Sequence, residues 1–195
     1  CVWVAVESQG LFCYDLEEGK LRNYTLENFS FISTNVQSFV FDNSGTLWIG
    51  CYGDGLFYSK DRLQTLHPYV SPVDDQKLNA NDVVDMLGER SYNCLYVGSL
   101  KGGVKELNLT SNKLHDLLSE DENGESVFCR ELLAASDNEL WIGAESGLYI
   151  YNLRWVNMFT YAVRSTILIL CPTMLFIPCV RIAKMVSGLD LILAV

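Results

Sequence analysis

"GTLWIGCYGDGLF" occupies Gly45–Phe57, and "NELWIGAESGLYIY" occupies Asn138–Tyr151. The same phrase is echoed more loosely in "CVWVAVESQGLFCY" (Cys1–Tyr14) and "NCLYVGSLKGGVKEL" (Asn93–Leu107). Aligned on their aromatic anchors, Trp3, Trp48, Tyr96 and Trp141, the four phrases are spaced by 45, 48 and 45 residues. A short step after each anchor stands a glycine followed by a branched apolar residue: Gly10-Leu11, Gly55-Leu56, Gly103-Val104 and Gly147-Leu148. Recurrence at a fixed period of this size is the mark of stacked repeats.

Each unit reads as a small antiparallel sheet. Apolar runs precede three of the anchors, at Val36–Phe41, Val83–Leu87 and Val127–Leu133, and turn-forming residues ("DNSG", "ERSYN", "SDNE") separate run from anchor. After the anchor strand and the glycine turn come a "GLxxY"-type strand and a last short strand: "KLRNY" (20–24), "LQTLHPY" (63–69), "KLHDL" (113–117) and "MFTY" (158–161). These segments are short and rich in β-branched and aromatic residues, which favours strands over helices. Gly55, Gly103 and Gly147 suit left-handed turn positions, where a Cβ would be strained. Four strands per ~45 residues is the period of a propeller blade. A lone four-stranded sheet cannot bury both faces, whereas stacked sheets bury them together, so Trp48 and Trp141 are expected between blades. The fold class is therefore all-β, a partial β-propeller of about three and a half four-stranded antiparallel blades over residues 1–161, with a non-propeller hydrophobic tail over 162–195.

Bulk properties fit that reading. A hydrophobic fraction of 49% excludes disorder for most of the chain, and a net charge of −10 leaves no basic surface for nucleic acid. Charge is uneven: residues 1–153 hold 10 Lys/Arg against 23 Asp/Glu, whereas 154–195 hold 4 against 1. The seven cysteines form no C-x-x-C pair and no Cys/His cluster, so no zinc or redox motif is indicated and no metal or cofactor is expected. The chain begins mid-pattern at Cys1-Val2-Trp3, as a portion of a longer protein would.

The residues "LWIGCYGDGLF" and "LWIGAESGLYIYNL" resemble the two-component regulator propeller repeat, whose pattern is a strand ending "G-x-LWIGT" followed by "GGL". Units two and four are close to it; units one ("VWVA") and three ("LYVG") depart from it at the anchor tetrapeptide. The paired marks of WD40 and kelch repeats are absent. The resemblance implies a periplasmic sensor propeller of a hybrid histidine kinase of Bacteroides type, whose parent binds glycan fragments and is anchored in the inner membrane. It also implies that the partners are the remaining blades of that parent and an oligosaccharide. No kinase region lies in this sequence, so no enzyme activity is expected of it. The family pattern supplies no fixed catalytic or ligand residues.

Beyond Leu153 the pattern fails. Ser165–Val180 carries no charge but contains Pro172 and Pro178, and it is shorter than the ~20 residues that span a bilayer. A membrane anchor or helix at 165–180 is one reading of this tail. A sharper one is a shifted reading frame: back-translation of Ile167–Asp190, read two nucleotides later, can give "PYSLSDNAIYSMCKDREDGLWIG". That phrase has the form of a fifth upstream strand, turn and anchor, with its Trp straddling Ser187 and Gly188, 46 residues past Trp141. A fragment of this kind would leave apolar faces and strand edges open and would depend on partner blades.

Chemistry is sparse in the sequence. His67 and His115 fall at matching late-strand places, which suits a repeat position better than a catalytic pair. No nucleophile elbow, P-loop or His-Glu-x-x-His occurs. "SEDENGES" (119–126) reads as a solvated loop, because the calcium-loop position for a bidentate Glu holds Leu132. Three Asn-x-Ser/Thr sites, at Asn23, Asn28 and Asn108, are read as chance matches. Loops carry most binding residues, so Tyr52, Asp54 and Asn81 are the candidates for stacking on and hydrogen-bonding a carbohydrate. A rival reading, a lactonase-like hydrolase, would need acidic residues at equivalent first-strand positions of several blades. Asp85 and Glu131 are the only suggestive ones. A third reading is a single-pass membrane protein with a β-rich exterior.

Overall fold

The computed structural model describes residues 2–6, 8–23, 35–60, 66–70, 82–89, 93–154 and 157–162. Fifteen strands and no helix lie among them. They form four antiparallel sheets, each built by consecutive strands, here called leaves. Leaf one holds β1 (Val2–Val6), β2 (Gly10–Asp15) and β3 (Lys20–Asn23). Leaf two holds β4 (Val36–Phe41), β5 (Leu47–Cys51), β6 (Gly55–Ser59) and β7 (His67–Pro68). Leaf three holds β8 (Val83–Glu89), β9 (Cys94–Ser99), β10 (Gly103–Asn108) and β11 (Lys113–Leu118). Leaf four holds β12 (Cys129–Ser136), β13 (Glu139–Ala144), β14 (Gly147–Asn152) and β15 (Asn157–Ala162). Three leaves are thus complete and the first has three strands. The tail beyond Ala162 lies outside the described residues.

Local chemistry accounts for where strands start and stop. The upstream run of leaf four becomes a strand only from Cys129, because Val127 is tied back to leaf three. Its N–H donates to Ser119 O at 2.9 Å, and its carbonyl accepts from Gly103 N at 3.1 Å. The last strand of leaf two is only His67–Pro68, since proline cannot donate to a continuing ladder. Gly55, Gly103 and Gly147 open the third strand of their leaves with φ of +82°, +63° and +145°. At Gly103 a Cβ would stand 1.9 Å from the Leu118 carbonyl oxygen, so no other residue fits that turn.

The leaves pack face to face in chain order, β1 against β4, β4 against β8 and β8 against β12. Three apolar layers result. Leu11, with Trp3 and Ala5, meets Val36, Leu47, Ile49, Cys51 and Phe57 between leaves one and two. Trp48 and Leu56 meet Val83, Met86, Leu95, Val97 and Leu107 between leaves two and three. Cys94, Tyr96 and Val104 meet Cys129, Leu132, Leu140, Ile142, Ala144 and Tyr149 between leaves three and four. Each leaf therefore covers its neighbour's apolar side, which a single sheet could not do for itself.

The glycine ending each "LWIG"-type phrase is explained by this stacking. A Cβ on Gly50 would lie 2.5 Å from Val83 Cγ1 of the next leaf, and one on Gly98 would lie 2.6 Å from Cys129 Sγ. Leaf one has Ala5 at this place, packed against the cluster that contains Val36. Cys13 is disulfide-bonded, while Cys51, Cys94 and Cys129 are buried and outside any disulfide.

Candidate functional site

Two places in the fold gather polar groups. The first is one end of the stack. There the second-to-third-strand turn of leaves two, three and four lies against the chain leading into that leaf's first strand. Tyr52 N donates to Asn35 O at 2.9 Å, Leu100 N to Asp82 O at 2.9 Å and Glu145 N to Phe128 O at 3.1 Å. Tyr52 and Asp54 sit on the leaf-two turn, Tyr52 40% exposed, with Gly53 at φ +91° between them. Burial, helped by the Asp54 charge, pushes the neighbouring Cys51 thiol up to about 12, so it stays protonated. Asn81 lies outside the described residues. Glu145, on the leaf-four turn, forms an ion pair with Arg130 of β12.

The "SEDENGES" segment at this end is a hairpin, bridged at Glu120 and Ser126. Asp121 closes it by accepting from Asn123 N at 2.8 Å and Glu125 N at 2.9 Å, which holds its carboxyl below the ordinary value. The carboxylate is therefore engaged by its own turn. No group of three metal-capable side chains occurs among the described residues.

The second place is the row of innermost strands. Each of β4, β8 and β12 carries a bulge, at Gln37, Val84 and Arg130. The bulges bring Ser38, Asp85 and Glu131 into register with Gly50, Gly98 and Gly143 of the adjoining anchor strands. The acidic first-strand pair noted in the sequence is thus at equivalent positions, with Ser38 as the third member.

Asp85 uses its carboxylate to join three leaves. Its Oδ1 accepts from Ser38 Oγ of leaf two at 3.2 Å and from Met86 N at 2.8 Å. Its Oδ2 accepts from Leu132 N of leaf four at 2.8 Å. Ser38 Oγ in turn accepts from Met86 N at 3.2 Å. Burial pushes the Asp85 carboxyl above its ordinary value, only partly offset by the Leu132 and Met86 N–H groups and the Ser38 hydroxyl. Both oxygens thus face donors of the fold itself.

Two further polar devices escaped the sequence reading. Asp42 holds the turn before the leaf-two anchor. Its Oδ1 accepts from Ser44 N at 2.9 Å and Thr46 N at 2.9 Å, and its Oδ2 accepts from Trp48 Nε1 at 3.0 Å. Burial works against the charge, but the Ser44 hydroxyl, the Trp48 indole N–H and the Thr46 and Ser44 N–H groups outweigh it and keep the Asp42 carboxyl below its ordinary value. Lys105, buried, reaches Asp116 Oδ1 on the adjacent strand at 2.5 Å. A fourth-strand acid opposite a third-strand lysine was the available signal for that pair.

Comparison with known proteins agrees with this architecture. The extracellular domain of a one-component system from B. thetaiotaomicron superposes with a TM-score of 0.66 at 16% identity, over 81% of this chain and 20% of that one. The extracellular domain of a hybrid two-component system of the same organism gives 0.63 at 20% identity, over 80% and 21%. PorZ, a surface component of the type-IX secretion system of Porphyromonas gingivalis, gives 0.58 at 13% identity, over 84% and 26%. The chain thus spans about a fifth of the length of the first two. No curated protein sequence matches. The sequence model for the two-component regulator propeller matches residues 30–53, which run through the first two strands of leaf two. Residues 30–53 thus match the two-component regulator propeller repeat, within an all-β stack of propeller leaves.

Proposed function

We propose that this chain is a non-catalytic, ligand-binding part of a periplasmic sensor propeller, whose parent reports glycan fragments to a two-component signalling system. The observation that carries the reading is the use of Asp85. The buried acid best placed for chemistry has both oxygens engaged by Ser38, Met86 and Leu132, as a structural joint requires and a general base does not. Ligand contact then falls to the turn end of the stack, where Tyr52 offers an exposed ring face and Asp54 an acceptor beside it. Asn81 is retained as a candidate on its sequence alone. The likeness to extracellular domains of signalling proteins supports the compartment, and the disulfide at Cys13 is in keeping with it.

The test is calorimetric titration of the full chain with a panel of oligosaccharides, run beside an assay for lactone and glycan hydrolysis. Saturable binding that Tyr52→Ala and Asp54→Ala each weaken about tenfold supports the reading. Turnover above background that depends on Asp85 would replace it with the hydrolase reading.

A further inference from the structure

Leaf three breaks the repeat at one buried place. The second residue after the turn glycine of the third strand is Phe12 in leaf one, Phe57 in leaf two and Tyr149 in leaf four, but Lys105 in leaf three. Lys105 is 3% exposed and shares its face of the leaf with Val97, Leu107 and Leu114, in the layer against leaf two. Its ammonium meets Asp116 Oδ1 at 2.5 Å, on a side chain that is itself 57% exposed. A charge buried against so exposed a partner adds little stability, because taking the ammonium out of water cancels much of the attraction. What the pair defines is position.

β11 carries one residue more than the strand it pairs with. Lys105 stands opposite Asp116 and Val104 opposite Leu118, so Leu117 is the extra residue of a bulge. The bulge reverses the alternation of the strand. Leu114 lies in the layer with leaf two, and strict alternation would send Leu118 there as well. Instead Leu118 is buried in the layer with leaf four, with Leu117 packed beside it. The next carbonyl, of Ser119, takes the Val127 N–H on the way into leaf four. Two placements of the bulge would bring Leu118 opposite Val104: at Leu117, as observed, or at Asp116, with Leu117 opposite Lys105. The second would remove the carboxylate from a buried ammonium and draw Leu117 out of the leaf-four layer.

We propose that the Lys105–Asp116 pair is a register device, which fixes the bulge of β11 at Leu117 and thereby the path of the chain from leaf three to leaf four. A single buried pair selects one arrangement because every alternative strands a charge, even where an apolar pair would be as stable. The stretch it positions is the Glu120–Ser126 hairpin, at the end of the stack to which the proposed function assigns ligand contact. The device itself does not depend on that assignment.

The test gives leaf three the pair that leaf four has at this place, Tyr149 opposite Thr160, by making Lys105→Tyr with Asp116→Thr in the full chain. Lys105→Met with Asp116→Thr, a smaller change of shape, is read beside it in case the ring does not fit. Urea unfolding and amide hydrogen exchange are measured on both. A urea midpoint equal to wild type or higher, with exchange at residues 116–118 faster by about tenfold or more while β9 and β10 keep their protection, supports the proposal. Exchange at 116–118 unchanged from wild type overturns it. So does a lowered midpoint in both variants with exchange raised throughout leaf three, which would make the pair a stabilising contact. The exchanged pair, Lys105→Asp with Asp116→Lys, should return residues 116–118 to wild-type protection, and continued fast exchange there would also overturn the proposal.

Discussion

Trp48 and Trp141 stand in the same tetrapeptide, on the same strand of their leaves, yet they live differently. Trp48 is 6% exposed, lies 5.3 Å from the Tyr58 ring and 6.1 Å from the Tyr69 ring, and donates its indole N–H to Asp42. Trp141 is half-buried, and its indole nitrogen, though shielded, has no hydrogen-bond partner among the described residues. One cause is local: the residue six before the anchor is Asp42 in leaf two and Ala135 in leaf four. The other is the neighbour. Leaf three covers Trp48, and no described leaf covers Trp141. The motif specifies a side chain ready for an interface; the following leaf makes it a core residue.

The largest effect separating the two is expected from truncation. Trp48→Ala should cost about 3–5 kcal/mol of stability by urea unfolding of the full chain, and Trp141→Ala about 1 kcal/mol or less. Equal costs would mean that the outward face of leaf four is as well covered as the joint between leaves two and three.

Next come the joints themselves. Asp85→Ala strands the Leu132 N–H and leaves the Met86 N–H only the Ser38 hydroxyl; it should cost about 2–3 kcal/mol, with Asp85→Asn costing less because an amide oxygen still accepts. The carboxyl's folded pKa lies above its unfolded value, so the folded state holds the proton more tightly. Stability from this group is full below the unfolded value, near pH 4, and is lost as pH rises through the raised folded value. Asp42 has the opposite sign, its contribution being present above its unfolded value and lost on acidification. The stability difference between wild type and Asp85→Asn should therefore shrink as pH rises from about 4. A difference constant with pH would show that Asp85 titrates normally.

A smaller effect is expected at the anchor glycines. Gly50→Ala and Gly98→Ala push a methyl group into Val83 or Cys129 and should cost about 1–3 kcal/mol by the same unfolding measurement. The smallest effect is a gain. Ala135→Asp would give Trp141 the acceptor that Asp42 gives Trp48, worth about 0.5–1 kcal/mol in urea midpoint.

Repetition made the leaves legible: aromatic anchors and turn glycines recur in type as well as spacing, because every leaf needs the same bulk and the same bend. The joints were not legible to the same degree. Ser38, Asp85 and Glu131 share a register but no residue type, and a bulge displaces each from simple alternation. Asp85 drew notice as an acid on a first strand, yet only the positions of Met86 and Leu132 reveal it as an acceptor for backbone. The value of Gly50 and Gly98 likewise depends on Val83 and Cys129, some thirty residues downstream. Tyr52 and Asp54 carry no spacing signal, so chain order and turn chemistry could nominate them and go no further.

The acceptor-before-donor order of the joints gives the stack a grain. Leaves three and four are each recognised through the main chain of their inner strand by the leaf synthesised before them, beside the apolar side chains which that strand brings to the layer. Duplicating a leaf within such an array reproduces a matching socket and plug in a single step, which lets gene length, rather than new complementarity, decide how large the assembly grows.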